Sequence, residues 1–321
     1  MKLSCAFAPR CDVIENTKLA ESLGYDKAFF ADSPALYGDV FIAMARAAEA
    51  TERIGIGTAV LIPSLRHVMT TAAAIATLEQ IAPGRLTIAV GTGFTGRRMF
   101  GRRALSWRTT ERYVRDLKGL LRGFEVEVDG HVTRMFQPPG FGPERPITTP
   151  IWVAANGAKG LAVADEVGDG LLCAAVVPEG ARNAAVLCFG TVLAPGEDWA
   201  DDRVLDAIGP AIAMAYHGAY DTAGDAVDAL PGGKGWREEI EAIPEPVRHL
   251  YVHENHAVSM TDRDRRHVSP ALGAGMTFSG TAEQLREKLN ALESRGVSEL
   301  VFFPLGSDLP GELQRMAEAL R

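Results

Sequence analysis

No run of apolar residues in this chain approaches the ~20 that a membrane span requires, so a protein working away from the bilayer is expected. Cysteine is scarce as well. Its four copies, Cys5, Cys11, Cys173 and Cys188, form no CxxC pair and fall at no metal-ligand spacing, and Cys5 and Cys173 lie in strand-like apolar runs that suit buried free thiols. There is no excess of positive charge. Lys and Arg number 33 against 41 Asp and Glu, and the net −8 argues against a nucleic-acid partner. The opening residues MKLSCAFAPRCD are interrupted by Pro9, Arg10 and Asp12 where a secretory signal needs an apolar stretch, which makes the cytoplasm the expected compartment. HExxH is missing too: His253-Glu254-Asn255-His256 sets its histidines three apart, and the first strand carries no HxH. No metal site is therefore expected. No internal repeat or low-complexity tract stands out.

What the sequence does have is a regular alternation. Residues 3–8, 27–32, 53–62 and 86–90 are apolar at nearly every position and are separated by helical stretches at 13–23, 39–51 and 67–82. Such strands are covered on both faces, the mark of a parallel sheet. A helix over 109–123, a hairpin around Asp129-Gly130 and a Pro-rich connector at 138–150 follow. The pattern resumes with strands at 151–156, 170–176 and 185–194, the last after too few residues for a full helix, so the sixth helix is expected to be shortened. The region from about 195 to 280 reads as an irregular insertion with helices at 204–222 and 236–242 and a possible strand at 249–253. A helix at 281–295, strand 299–303 and helix 310–320 close the chain. Eight parallel strands in 321 residues imply one (β/α)8 TIM barrel with insertions, in a single domain spanning 1–321, in preference to a doubly wound sheet.

Gly91-Thr92-Gly93-Phe94-Thr95-Gly96 matches G-x-G-x-x-G, yet Arg97-Arg98-Met99-Phe100-Gly101 is a poor helix start and three strand–helix units precede it. A dinucleotide fingerprint needs strand, turn and helix in immediate succession. The better account is a Gly-rich loop at the C-terminal end of the fourth barrel strand, where barrel active sites lie and backbone amides can approach a flat ring or an anion. Ala155-Asn156-Gly157, with Lys159, ends the fifth strand and opens a helix, another place for an anion or ring edge, or simply a cap. Arg97, Arg98, Arg102, Arg103, Arg108, Arg112 and Arg115 crowd one loop and the helix after it. They suit either a solvated face or a polyanionic ligand.

Three blocks carry a resemblance: AESLGYDKAFFADS through ATERIGIGTAV to LRHVMTTAAAIATLEQIAPGRLTIAVGTG, then PIWVAANGAKGLAVADEVGDGL, and finally GTAEQLREKLNALESRGVSELVFFP. Together they resemble the bacterial luciferase-like superfamily of flavin- and deazaflavin-dependent oxidoreductases, over most of the chain except about 180–275. The resemblance implies a barrel, usually dimeric, with FMN or coenzyme F420 at its C-terminal mouth and a non-prolyl cis peptide at the end of the third strand, here Ala59-Val60. The family's catalytic histidine after the second strand is replaced by Ser33, beside Asp32, and a glutamate used by some deazaflavin members is replaced by Phe94. Asp32 and Ser33 remain candidates for ring or substrate contacts, and His253 or His256 for a general acid or base in a lid. Gly91, Thr92, Gly93, Arg97, Arg98, Ala155, Asn156, Gly157 and Lys159 join Ala59 and Val60 as the expected cofactor set.

The expected function is F420-dependent hydride transfer to or from a small organic substrate. The alternatives are an FMN-dependent two-component monooxygenase served by a partner flavin reductase, and a non-catalytic flavin-binding relative. A homodimer is the expected assembly.

Overall fold

The computed structural model describes residues 1–174, 177–178 and 184–321. Barrel strands β1 (Lys2–Phe7), β2 (Lys27–Phe30), β3 (Gly55–Leu61) and β4 (Leu86–Val90) alternate with helices α1 (Val13–Ser22), α2 (Val40–Ala50) and α3 (Val68–Ile81). A five-residue helix, α4 (Phe94–Arg98), and the long α5 (Trp107–Arg122) follow β4. α4 starts at Phe94, ahead of the Arg97–Gly101 stretch read as a poor helix start, and ends at Arg98. The hairpin β5 (Val126–Val128) and β6 (His131–Thr133) turns at Asp129-Gly130, both with positive φ. Strands β7 (Ile151–Ala154), β8 (Gly170–Ala174) and β9 (Ala184–Phe189) continue the barrel, with α6 (Ala158–Val167) between the first two. The shortened sixth helix falls on 175–183 and lies outside the described residues but for Val177 and Pro178.

Beyond β9 come α7 (Asp202–Ala223), α8 (Gly233–Glu241), α9 (Glu245–Val252), α10 (Asp262–His267) and the single turn α11 (Gly273–Met276). The chain ends with α12 (Ala282–Ser294), β10 (Val297–Phe303) and α13 (Leu309–Leu320). The possible strand at 249–253 is thus a helix, α9, followed by a turn. Leu250, Tyr251 and Val252 suggested a strand, but Leu250 and Tyr251 are exposed while Val252 and His253 are buried, so adjacent residues share a face in place of the alternation a strand would show.

The barrel strands form a closed parallel barrel in the order β1-β10-β9-β8-β7-β4-β3-β2. Successive side chains point alternately out to the helices and into the barrel. At the N-terminal end the inward residues are polar and mutually satisfied: Ser4 Oγ donates to Glu299 Oε1 at 2.6 Å, and Lys27 pairs with the other oxygen of Glu299. Higher up, β2 and β7 present Phe29 and Trp152, and β9 presents Ala185. At the last inward positions the sizes differ: Ala8, Ala31, Ala59 and Ala154 at the ends of β1, β2, β3 and β7 stand against Phe189 and Phe303 of β9 and β10. The rim of the C-terminal mouth is therefore lined by methyl groups on one side and by rings on the other.

α7 lies across this mouth. Its Ala211 packs into the barrel's interior cluster with Ala257, and Met214 packs against the same cluster. Pro210, inside α7, has no N–H to give to the carbonyl of Asp206 one turn earlier. The Asp206 side chain accepts from Ser307 N and Oγ, both at 2.7 Å, and so fastens the start of α7 to the loop after β10. The rest of the 200–270 region has its own core, with Val204, Ile208, Ile212 and Tyr216 of α7 packed on Trp236, Ile240 and Val252.

Candidate active site

The loop after β4 is shaped by what its glycines leave room for. A Cβ on Gly91 would stand 2.6 Å from Val60 Cγ2, one on Gly93 the same distance from Ile62 Cγ2, and one on Gly96 the same distance from Ile62 Cδ1. The end of β3 thus occupies the volume the glycines vacate, a reason for them that the sequence reading, centred on an approaching ligand, had not given. Gly93 also takes φ +74, the left-handed region that favours glycine, to turn into α4. Across the pair β3–β4, Ala59 aligns with Ala89 but Leu61 with Val90, so Val60 is left out of register. The Ala59–Val60 peptide is cis.

Asp32 ends β2 but does not project into the mouth as a free acid. It is 2% exposed, and its Oδ2 accepts from Arg66 Nη1 at 2.7 Å and from the Ile62 amide at 3.2 Å. Burial raises its pKa while the guanidinium pulls the other way. The other arm of Arg66 pairs with Asp39, which caps α2 through the amides of Phe41 and Ile42. Asp32 holds the ends of β2 and β3 together through Arg66. Ser33 is half-buried and its Oγ faces Gly96 of α4.

The arginine cluster divides. Arg112 and Arg115 pair with Asp116, Glu127, Glu111 and Glu166 on the outer face of α5, and Arg98 stands 3.4 Å from Asp221 of α7. Arg98 is therefore committed to the cap and is not free for a ligand. Arg97, Arg102, Arg103 and Arg108 have no carboxylate within 4.0 Å among the described residues. Arg97 is oriented by neutral groups, the Arg103 carbonyl at 2.6 Å and the Ser64 hydroxyl. A cavity of about 580 Å³ opens here, lined by Ser64, Leu65, Arg97, Phe100, Arg102 and His249.

At the end of β7, Asn156 is not a helix cap. Its Oδ1 accepts from the Ala174 amide at 2.9 Å, which ties β7 to β8, and among the described residues its side-chain NH2 has no partner. Ala155 is buried, and Gly157, the residue before α6, has open space where a Cβ would stand. Lys159 is exposed. Trp152 lies low in the barrel against Phe29, and Trp107 fills the space over Gly160, so neither walls the mouth as a free surface.

Three histidines meet under the cap. His217 comes from α7, and His253 and His256 from the turn after α9. The Nδ1 atom of His256 lies 3.0 Å from Nδ1 of His217 and 3.1 Å from Nδ1 of His253. Each Nε2 faces outward to a different group: His253 to Asp221 Oδ2 at 2.8 Å, His217 toward Asp264 Oδ1 at 3.6 Å, and His256 to Thr95 Oγ1 of α4 at 3.3 Å. Burial depresses the pKa of His256 well below 6.5, with its two imidazole neighbours adding to the effect. Burial lowers His217 too, against the pull of Asp264. The sequence singled out His253 and His256 but not His217, which lies 36 positions before His253 and shares no local motif with it. The only signal was the crowding of histidines between 217 and 267.

A family model described as luciferase-like monooxygenase matches residues 8–299. An F420-dependent glucose-6-phosphate dehydrogenase of Beutenbergia cavernae is 36% identical over 183 residues, 52% of this chain and 53% of that protein, so the match spans about half of its length. Among solved structures, the coenzyme F420-dependent tetrahydromethanopterin reductase of Methanopyrus kandleri superposes with TM-score 0.68 at 18% identity, covering 100% of this chain and 99% of that one. The oxygenating constituent of 3,6-diketocamphane monooxygenase of Pseudomonas putida, in complex with FMN, superposes with TM-score 0.59 at 15% identity over 99% and 96%. At such identities the two structures establish a common fold.

Proposed function

This chain belongs to the luciferase-like monooxygenase family, and we propose that within it the protein is an oxidoreductase that moves a hydride between coenzyme F420 and a small organic substrate. The observation that carries the choice of cofactor is the cleft at the mouth, where Arg97 and Arg102 line a cavity and, among the described residues, have no carboxylate within 4.0 Å to neutralise them. A deazaflavin carries a phosphate and a string of carboxylates, and forked guanidiniums suit both groups. FMN brings one phosphate and leaves more of that charge unanswered. The similarity to an F420-dependent dehydrogenase at 36% identity supports the same choice.

The donor set fits. The alanine side of the mouth, with Val60 standing out of register at its edge, offers a shallow apolar seat for a flat ring. The side-chain amide of Asn156 and the open space over Gly157 suit a ring edge or a phosphate, and Arg97 and Arg102 suit the tail. When bound, F420 supplies a two-electron hydride donor or acceptor. The chain's own part is to exclude water and to hold a proton near the reacting carbon. α7 provides the cover through Ala211 and Met214. His256, the one half-buried member of an otherwise buried trio, presents Nε2 toward Thr95 and would hold a proton at that atom. Asp32 acts through Arg66 as a positioning group.

Titration of the purified protein with oxidised F420 and, separately, with FMN, followed by fluorescence, tests the reading. Tight F420 binding with weak FMN binding is expected. Tight FMN binding without F420 binding overturns it in favour of a monooxygenase fed by a reductase, and binding of neither points to a non-catalytic relative.

A further inference from the structure

We propose that His217, His253 and His256 bind one divalent metal ion of the zinc class through their three Nδ1 atoms, at the joint between α7 and the turn after α9. The proposal stands whichever flavin the barrel takes. It rests first on geometry. The ligand atoms of the three side chains all lie within 4.8 Å of one another, and two of the Nδ1 separations are 3.0 and 3.1 Å. Nitrogens around a tetrahedral zinc at about 2.0–2.1 Å stand about 3.3 Å apart, close to both separations that involve His256.

The second support is a count of protons. Asp221 Oδ2 lies 2.8 Å from Nε2 of His253 and accepts only if that nitrogen carries the hydrogen, which leaves Nδ1 of His253 a lone pair aimed at Nδ1 of His256. Nε2 of His217 is buried 3.6 Å from Asp264 Oδ1, beyond hydrogen-bond distance, and has no hydrogen-bond partner among the described residues. Nδ1 of His256 must carry its hydrogen to meet His253, and that one hydrogen cannot also be aimed at Nδ1 of His217 3.0 Å away, so the trio without a cation leaves one of its two close contacts unsatisfied. A cation at the centre takes all three lone pairs at once, with the third hydrogen moved to Nε2 of His256, where Thr95 Oγ1 stands ready to accept it. His256 then keeps the proton-bearing face toward the mouth assigned to it above.

The outer partners have the form of a built site. Ligating histidines characteristically donate their other nitrogen to a carboxylate, carbonyl or hydroxyl, which fixes tautomer and ring orientation. Asp264 is itself held by Trp236 Nε1 at 2.8 Å and by Thr261 Oγ1 at 2.6 Å, so it is committed to one orientation. Asp221 shares its charge with Arg98. The grouping found among the described residues contains no fourth side chain, so water or a ligand oxygen would complete a tetrahedron. Imidazole donors without thiolates suit zinc, cobalt, nickel or copper over magnesium or calcium.

The test uses untagged protein stripped with a chelator and titrated with cobalt(II). One equivalent per chain should give the intense visible bands of a four-coordinate nitrogen site, which zinc then displaces. His256→Ala, at the most exposed ligand, should abolish the bands while the far-ultraviolet circular dichroism persists. Asp221→Asn, which keeps all three ligands, should weaken zinc binding ~10–100-fold. Folded wild-type protein that leaves cobalt with the pale spectrum of the hydrated ion overturns the proposal. So does a spectrum unchanged by His256→Ala. Should that variant not fold, the wild-type spectrum and the Asp221→Asn affinity decide.

Discussion

Gly91 offers a clean measurement of how tightly the site loop is packed on the strand beside it. Its φ is not positive, so an alanine there meets no backbone penalty, unlike at Gly93. The whole cost of Gly91→Ala comes from the new methyl, 2.6 Å from Val60 Cγ2, 3.3 Å from its Cβ and 3.5 Å from Cγ1. The nearest approach is about 1 Å inside an ordinary carbon–carbon contact. Overpacking on this scale costs about 1–3 kcal/mol. Val60→Ala removes two methyl groups from a half-buried site and should cost about 1 kcal/mol. Were the two independent, the double variant would lose about 2–4 kcal/mol. The structure says they are not, because Val60→Ala takes away both γ carbons that the new methyl meets. The double variant should lose about 1 kcal/mol, a favourable coupling of about 1–3 kcal/mol in urea unfolding of the cofactor-free protein. Losses that add within about 0.5 kcal/mol would refute the packing argument.

The divided arginine cluster makes its own prediction. Arg97→Gln and Arg102→Gln should weaken F420 binding most at low salt, whereas Arg112→Gln, on a neutralised outer face, should leave the fluorescence titration unchanged. Equal effects at all three positions would remove the tail assignment. Stability toward acid should depend on Glu197, whose pKa its hydrogen bond with Arg203 lowers from 4.5 to about 2. A carboxylate with a depressed folded-state pKa contributes stability that is full above 4.5 and lost as pH falls toward 2. Glu197→Gln should therefore flatten the stability profile over that interval and leave its shape near neutrality unchanged, as chemical denaturation at stepped pH would show.

The barrel was legible because burial on both faces leaves a plain mark: LTIAV and KAFF cannot be amphipathic surface segments, and their spacing by helices admits little but parallel strands. α9 was not legible, because Leu250, Tyr251 and Val252 favour a strand locally and nothing in the sequence says that no strand lies beside them. α4 escaped for the opposite reason. Five residues with a glycine at the third position have little helical preference of their own, and the turn persists through the contact of Gly96 with Ile62. At the site, positions at strand ends could be read off the order of elements, but partners could not. That Asp32 answers to Arg66, Arg98 to Asp221 and Asn156 to Ala174 depends on segments 34, 123 and 18 positions apart meeting in the fold. The histidine trio is the extreme case, since one member arrives on a different helix from the other two.

The unequal sizes of the inward side chains have a consequence for how such a protein changes its trade. One side of the rim is lined by the methyl groups of Ala8, Ala31 and Ala154, all partly exposed, so its shape is set by omission. Each of these three can grow by a carbon or an oxygen and trim the bowl at one point on its rim, while the outward residues that lock the strands to their helices stay as they are. Selectivity and foldedness are thus written on opposite sides of the same strands, and a lineage can revise the first without rewriting the second.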